Sequence, residues 1–226
     1  MTYAGRNHHP ATGPPVFALR ASRIFATFNF FGDEMKAAVF LDRDGTVNEE
    51  VGFVNHIDRF QIFPWTGPAI RRLNQAGLPA VLVTNQSGVA RGHFPEALVQ
   101  EIHARLQAEL ARFAARLDAI YYCPHHPEGK LPDYRKTCDC RKPAPGMIHR
   151  AARELGLDLS ASFIISDRYQ DLSMGFQAGT RGVLLLTGYG KGEYEYYRNT
   201  WPRPPDFVAA HLLEGVEWIL RVMSHE

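Results

Sequence analysis

A doubly wound α/β sandwich with a parallel sheet is the fold this sequence predicts, on three observations. From Lys36 onward, short apolar runs of strand character alternate with longer segments of helical spacing. Each catalytically interesting group sits at or just beyond the end of such a run, and in an open parallel sheet the strand C-termini share one edge, where ligands bind. The chain has 226 residues of which 45% are hydrophobic, enough for one sizeable core without demanding a second. The 25 basic and 24 acidic residues leave a net charge of +1, so there is no global electrostatic footprint for nucleic acid. No apolar run approaches the roughly 20 residues that span a bilayer, and no solenoid-type repeat is present. These features predict a soluble, cytoplasmic monomer with a small-molecule partner, and neither nucleic acid nor membrane.

Residues 1–34 differ from the rest of the chain. His8, His9, Pro10, Pro14 and Pro15 precede an aromatic-rich stretch, Val16 to Phe31, that Arg20 and Arg23 interrupt, so it lacks the apolar core of a secretory signal. The segment is read as an N-terminal extension of unknown role, with residues 35–226 as the working domain. Its lack of acids before Asp33 is weakly reminiscent of an organellar leader, and a start of translation at Met35 is an alternative reading.

Strands are expected near 37–41, 80–84, 118–122, 162–166 and 182–186, and helices near 66–76, 95–116, 145–155, 171–178 and 209–222. The first strand, in KAAVFLDRDGTVN, ends in Asp42 and Asp44, followed by Gly45 and Thr46. Strand alternation lets the two acids share a direction while Arg43 points elsewhere. Two carboxylates so placed repel, and a divalent cation or a shared proton offsets that cost. The connection Glu49 to Pro64, with Gly52, Phe53, Phe60 and Phe63, reads either as a small lid over this site or as a plain surface loop. The helix at 95–116 opens on Pro95-Glu96 and carries Leu98, Ile102, Leu106, Leu110 and Phe113 at helical spacing, a core stripe. Three further polar pieces follow at strand ends: Thr84-Asn85, Lys142, and Asp167 with Asp171. The tail from Gly188 to Pro205, with Tyr189, Tyr194, Tyr196, Tyr197 and Trp201, is either a partner surface or a packed aromatic flap.

All three cysteines fall between residues 123 and 140, as Cys123-Pro-His125 and Cys138-Asp-Cys140. Three thiolates and one imidazole form a tetrahedral zinc set, and a sphere closed by four protein ligands is structural rather than catalytic. The competing reading leaves ordinary thiols and a surface His125 or His126, whereas three cysteines and no export signal speak against a disulfide framework. Arg141 and Lys142 follow the last ligand directly, so anchoring Cys140 anchors a guanidinium fork and an ammonium suited to phosphate oxygens.

Acid pair, hydroxyl, amine and acid pair, in that order over Lys36 to Thr187, resemble the four motifs of the haloacid dehalogenase-like phosphatases. The runs DRDGT (Asp42 to Thr46), the Gly52-Phe53 loop, TNQSG (Thr84 to Gly88), ARG (Ala90 to Gly92), YYCPHHPEG (Tyr121 to Gly129) and CDCRKPAPGM (Cys138 to Met147) resemble its histidinol-phosphatase-like branch. The resemblance implies a Rossmann-like sheet with a minimal cap and a zinc-binding loop over 123–140. It implies phosphate monoester hydrolysis through an aspartyl-phosphate on Asp42, with Asp44 as acid and base and with Thr84 and Lys142 holding the phosphoryl oxygens. Mg²⁺ is implied on the Asp42 side chain, the Asp44 backbone carbonyl and Asp167, and zinc on Cys123, His125, Cys138 and Cys140. Substrate contacts are implied at Glu50, Val51, Gly52, Phe53, Thr84, Asn85, Gln86, Ser87, Arg141, Lys142 and Arg168. Ser166-Asp167-Arg168 departs slightly from the usual fourth motif. Asp171 is assigned to orienting Lys142 or a metal-bound water, or else is a helix-start acid favoured by the dipole. A sugar 1,7-bisphosphate is favoured over histidinol phosphate, because Arg141 and Arg168 suit a second phosphate and would repel a cationic amine.

Overall fold

The computed structural model describes residues 35–225, so the N-terminal extension read from residues 1–34 lies outside the described residues. The elements alternate as expected: β1 (Val39–Leu41), α1 (Thr66–Gln75), β2 (Ala80–Asn85), α2 (Glu96–Ala111), β3 (Ala119–Cys123), α3 (Gly146–Leu155), β4 (Phe163–Ser166), α4 (Tyr169–Ala178), β5 (Arg181–Leu185), α5 (Gly190–Tyr197), β6 (Phe207–Ala209) and α6 (Leu212–Met223). One sheet runs β3-β2-β1-β4-β5-β6 with every pairing parallel. The chain winds outward from β1 to β3, then returns across β1 to lay down β4, β5 and β6. The switch point between β1 and β4 is where such a sheet opens a crevice at its carboxyl edge.

Both faces of the strands are apolar because helices cover both. On one face Val39, Leu41, Leu82, Phe163, Ile165, Val183 and Leu185 pack with Ile70 and Leu73 of α1, Ile102, Leu106 and Leu110 of α2 and Val216 and Ile219 of α6. On the other, Ala38, Phe40, Val81, Val83, Ile164 and Leu184 pack with Met147 and Ile148 of α3 and Leu172 and Met174 of α4. The two lists interleave along each strand with period two, as strand geometry requires. At the lower end of the switch point Ser162 replaces a ladder bond: its hydroxyl accepts from Ala38 N at 2.9 Å and donates to Asp158 O at 2.5 Å.

Several expectations need correction. The helix expected over 95–116 ends at Ala111, and a bond from Ala115 N to Leu110 O (3.1 Å) with Ala114 at φ 53 turns the chain back. Phe113 therefore leaves the core stripe, is 38% exposed, and lies against Gly67 at the start of α1, where an added Cβ would come within 2.3 Å of its ring. Leu98 is half-buried and the adjacent Val99 takes its place inside. The final helix starts at Leu212 rather than 209, because Phe207–Ala209 pairs with β5 as β6. The tail before it contains α5, which the spacing of its residues did not predict; Trp201 stacks on Tyr169 at 4.2 Å while Tyr196 and Tyr197 stay exposed.

The Glu49 to Pro64 connection is an anchored wall. Asn48 bridges Ile62 and Glu49 N bonds Gln61 O at 3.0 Å, with Val54 and Phe60 buried beneath. The Arg59 guanidinium donates to Phe53 O (3.0 Å), Asn55 Oδ1 (2.8 Å) and Val51 O (3.0 Å), fixing the tip of the loop. Among the described residues no helix is long and apolar enough to cross a membrane.

Replacing Ser162 by alanine strands the buried Ala38 N–H and Asp158 C=O, a cost of about 1–3 kcal/mol. The expected result is a lower urea midpoint with an unchanged slope; an unaltered midpoint would show that the hydroxyl carries no stability.

Candidate active site

The site grows from three strand ends. Asp42 follows β1, its backbone still tied to Ile165 O at 3.1 Å, and Asp167 follows β4, so the switch point sets two acids side by side. Thr84 and Asn85 end β2, and Lys142 arrives from the loop between β3 and α3. The Asn85 side chain grips the backbone of Lys142 twice, Nδ2 donating to its carbonyl and Oδ1 accepting from its N–H, each at 3.1 Å. So held, the Lys142 Nζ sits 2.7 Å from Asp42 Oδ1 and 2.6 Å from Asp171 Oδ2, only 5% exposed. Ser166 Oγ supports the second partner with a 2.9 Å bond to Asp171 Oδ2. Asp171 sits in the first turn of α4, as the helix-start reading has it, and its carboxylate also bonds Lys142, as the orienting reading has it.

The electrostatics follow from burial. Desolvation raises Asp42 to about 6 against the pull of Lys142. Desolvation, followed by the charge of Asp42, raises Asp167 to about 8. Burial works against the Lys142 ammonium, yet Asp171 and Asp42 together hold its pKa above the ordinary lysine value. Asp44 behaves differently: burial opposes its charge, but the Arg43 guanidinium and the bonds from Asn48 and Gln86 hold it below the usual carboxylate range. Arg43 does not point away from the acid pair, as strand alternation predicted. The strand has ended, and Arg43 turns back to grip Asp44 through NH2 at 2.9 Å to both oxygens and Nε at 3.2 Å. Asn48 Nδ2 adds 3.0 Å to Oδ1, and Gln86 Nε2 adds 3.0 Å to Oδ2 while bonding Thr84 Oγ1 at 2.9 Å.

Asp167 is fully buried, with Tyr189 N donating to its Oδ2 at 2.9 Å and Thr46 Oγ1 near its Oδ1 at 3.5 Å. Asp42 and Asp167 form a crowded set of hard oxygens whose raised pKa values express desolvation first and neighbouring carboxylates next, outweighing Lys142, and such a set fits a small divalent cation. A second constellation flanks it. The sulfurs of Cys123, Cys138 and Cys140 and Nδ1 of His125 lie within 4.8 Å of one another. Five of the six separations run from 3.2 Å between Cys138 and Cys140 to 3.7 Å between Cys123 and His125. Edges near ~3.8 Å follow from tetrahedral bonds of about 2.3 Å around one ion, so the four donors are arranged as a metal site of the soft Cys/His type. Burial, with neighbouring sulfur second, raises the Cys123 and Cys140 thiols above their ordinary range, a cost that a bound cation offsets. The Arg141 NH1 reaches the His125 carbonyl at 3.3 Å, tying this cluster to the catalytic edge.

A cavity of about 420 Å³ joins Asp42, Asp44, Glu50, Gly52, Phe53, Thr84, Asn85, Ser87, Arg141, Lys142, Arg168 and Asp171, so most residues expected to meet substrate share one space. A larger hollow of about 810 Å³ lies along the free edge of β3, away from Asp42 and Asp44, and the smaller one holds the candidate site residues. Val51 does not line the catalytic cavity: its side chain packs on the core and its carbonyl serves Arg59. Gln86 acts through Asp44 and Thr84 from behind the wall. Sequence reasoning missed Asn48, Gln170 and Tyr189. Asn48 had a readable signal, because a turn closing Gly45 N on Asn48 O at 2.8 Å returns a residue four positions on toward Asp44. Tyr189 had none, since its place depends on where β5 delivers the tail.

Comparison with known proteins finds relatives by sequence and by fold. A HAD-hydrolase-like family model matches residues 139–215. A D-glycero-beta-D-manno-heptose-1,7-bisphosphate 7-phosphatase from Yersinia pestis is 45% identical over 153 residues, 67% of this chain and 81% of that one. The enzyme of the same name from Escherichia coli K12 is 44% identical over the same share of this chain and 80% of its own. The crystal structure of a D,D-heptose 1,7-bisphosphate phosphatase from B. bronchiseptica, complexed with magnesium and phosphate, superposes with a TM-score of 0.73 at 36% identity, covering 83% of this chain and 99% of that one. The chain belongs to the haloacid dehalogenase-like hydrolases and is one of their phosphatases.

Proposed function

We propose that this phosphatase removes the 7-phosphate of D-glycero-D-manno-heptose 1,7-bisphosphate, with residues 35–226 as the catalytic domain. The observation that carries the reading is the placing of Asp42, Lys142 and Arg141 in one cavity: nucleophile, ammonium for the transferred phosphoryl group, and a guanidinium suited to a second phosphate. Relatives 44–48% identical that bear this activity in their names support it.

In the proposed reaction an Asp42 oxygen attacks phosphorus in line, and the bond from phosphorus to the sugar oxygen breaks as Asp44 gives that oxygen its proton. Water then attacks phosphorus of the aspartyl-phosphate, loses its proton to Asp44, and inorganic phosphate leaves with Asp42 restored. Arg43, Asn48 and Gln86 favour the ionised Asp44 that the second step needs, and the negative charge of an arriving phosphate favours its protonation for the first. Lys142, Thr84 Oγ1 and the Asn85 N–H hold the non-bridging oxygens where charge is redistributed. Mg²⁺ on the Asp42 carboxylate, the Asp44 carbonyl and Asp167 would neutralise the repulsion between nucleophile and phosphate.

Zinc is assigned to Cys123, His125, Cys138 and Cys140, in a structural role. The donor type and the spacing of the four atoms support it, and so does the direct step from Cys140 to Arg141 and Lys142. A second reading, histidinol phosphate as substrate, meets the obstacle that its cationic amine would face Arg141 and Arg168.

Three outcomes are expected. Asp42→Asn keeps its fold, by circular dichroism, and loses turnover, because an amide is no nucleophile; activity within about tenfold of wild type, some 1.4 kcal/mol of barrier, would rule out the covalent route. One zinc per chain copurifies, and Cys140→Ser sheds it with loss of phosphatase activity and local rather than global unfolding, since the core does not rest on that loop; elemental analysis without zinc in unchelated protein would remove the assignment. Heptose 1,7-bisphosphate has a higher kcat/KM than histidinol phosphate, and Arg141→Ala narrows the gap by about tenfold or more. A preference for histidinol phosphate, or one indifferent to Arg141, would overturn the substrate.

A further inference from the structure

The tail after β5 begins by closing on the catalytic acids. Thr187 Oγ1 donates to Gly45 O at 2.5 Å and Tyr189 N donates to Asp167 Oδ2 at 2.9 Å, fixing the backbone at the start of α5. Glu193, one turn further, accepts from Tyr169 N at 2.7 Å and pairs with Arg168 Nε at 3.1 Å. The Arg168 guanidinium lies 4.2 Å from the centroid of the Tyr189 ring. Arg168 is thus held between a carboxylate and an aromatic face, and the Tyr189 ring is held by its own backbone on one side and a cation on the other. The ring remains 47% exposed, so it keeps a surface to offer.

That surface stands on a seam. The catalytic cavity of about 420 Å³ adjoins a hollow of about 500 Å³, and the residues the two share are Glu50, Gly52 and Tyr189. The hollow adds Glu49 and Phe63. A phosphate ester whose phosphorus meets Asp42 and Lys142 fills the inner space with the transferred group, and the rest of the molecule has to pass this seam. A hydroxylated sugar matches its lining: carboxylates at Glu49 and Glu50 accept hydroxyl protons, and an aromatic face packs on ring C–H groups.

We infer that Tyr189 is a specificity-determining residue, its ring and the Arg168 guanidinium forming a preorganised plate along which the non-transferred body of a phosphorylated sugar lies. The inference rests on the phosphatase reading above and adds a wall contributed by the C-terminal tail. Distal phosphate and sugar body then make separate demands, charge from Arg141 and an apolar face from Tyr189. Because Asp167 and Glu193 already hold the plate, little conformational freedom is lost when substrate arrives.

The test compares heptose 1,7-bisphosphate with acetyl phosphate, whose leaving group is too small to cross the seam. In Tyr189→Ala the ratio of kcat/KM for the bisphosphate to that for acetyl phosphate is expected to fall about five- to tenfold, chiefly through KM, whereas Tyr189→Phe, which keeps the ring, preserves the ratio. A role confined to supporting Asp167 would lower both substrates in parallel and leave the ratio where it was, which overturns the inference, as does a ratio unmoved by Tyr189→Ala for any other cause. Failure of the wild type on every sugar phosphate while it still cleaves acetyl phosphate would overturn the substrate reading and the plate with it. Cleavage of sugar phosphates with no change of ratio in Tyr189→Ala would overturn the plate alone.

Discussion

The buried ammonium of Lys142 is the interaction on which the rest of the site depends. A cation removed from water is costly unless anions surround it, and here Asp42 and Asp171 stand 2.7 and 2.6 Å away. Removing Lys142 would leave Asp42 and Asp171 buried together without their counter-charge, at a cost of about 3–5 kcal/mol. The three groups come from β1, from the loop after Cys140 and from α4, so each element is positioned by the other two. The arrangement also poises Asp42, the proposed nucleophile. Asp42 is tied to a cation that an arriving phosphate can share, so substrate enters a space where its charge is already answered on one side.

On the other side the answer is incomplete, and the shape of the chain there shows why. Asp167 is fully buried and raised to about 8, by desolvation first and by Asp42 second. Two glycines press on it. Gly45 at φ +82 and Gly188 at φ +49 approach so closely that an added Cβ would lie 2.2 and 2.1 Å from Asp167 Oδ2. Backbone conformation and lack of space both exclude side chains at these positions. The folded chain keeps two acids dry and adjacent at the cost of their ordinary pKa values, an arrangement that a divalent cation at the same oxygens would reverse.

Much of this was legible in the sequence because it is local. The strand ends carry Asp42, Thr84 and Asp167, the ligand pairs Cys123/His125 and Cys138/Cys140 flank one loop, and the step from Cys140 to Lys142 is covalent. Long-range alternation sufficed for the parallel sheet, though not for β6, whose three residues pair only because β5 is there to receive them. Arg43 was misjudged through a local assumption carried one residue too far: β1 ends at Leu41, so period-two alternation no longer governs the residue after Asp42. Phe113 was misjudged for a similar reason, as helical spacing continues in the sequence after the helix has stopped. The Gln86 bridge between Asp44 and Thr84 and the reach of Tyr189 to Asp167 join separate elements, and spacing alone does not encode such contacts.

The two walls of the cavity come from unlike parts of the chain, and that separation has a functional logic. The wall after β1 is pinned by Arg59 to its own backbone and by Arg105 NH1 to Ile57 O at 3.0 Å, so its form belongs to the core of the domain. The wall after β5 is pinned by Asp167 and by the Glu193 contacts with Arg168 and Tyr169, so its form follows the catalytic acids themselves. The proposed chemistry needs Asp42, Asp44, Lys142 and Asp167 held still, whereas selectivity needs surfaces that can differ from one relative to the next. By hanging α5 on Asp167 through a backbone N–H rather than a side chain, the fold lets residue 189 change its chemistry without changing that hydrogen bond, and a position bonded directly to a catalytic acid becomes one where substrate preference can be adjusted.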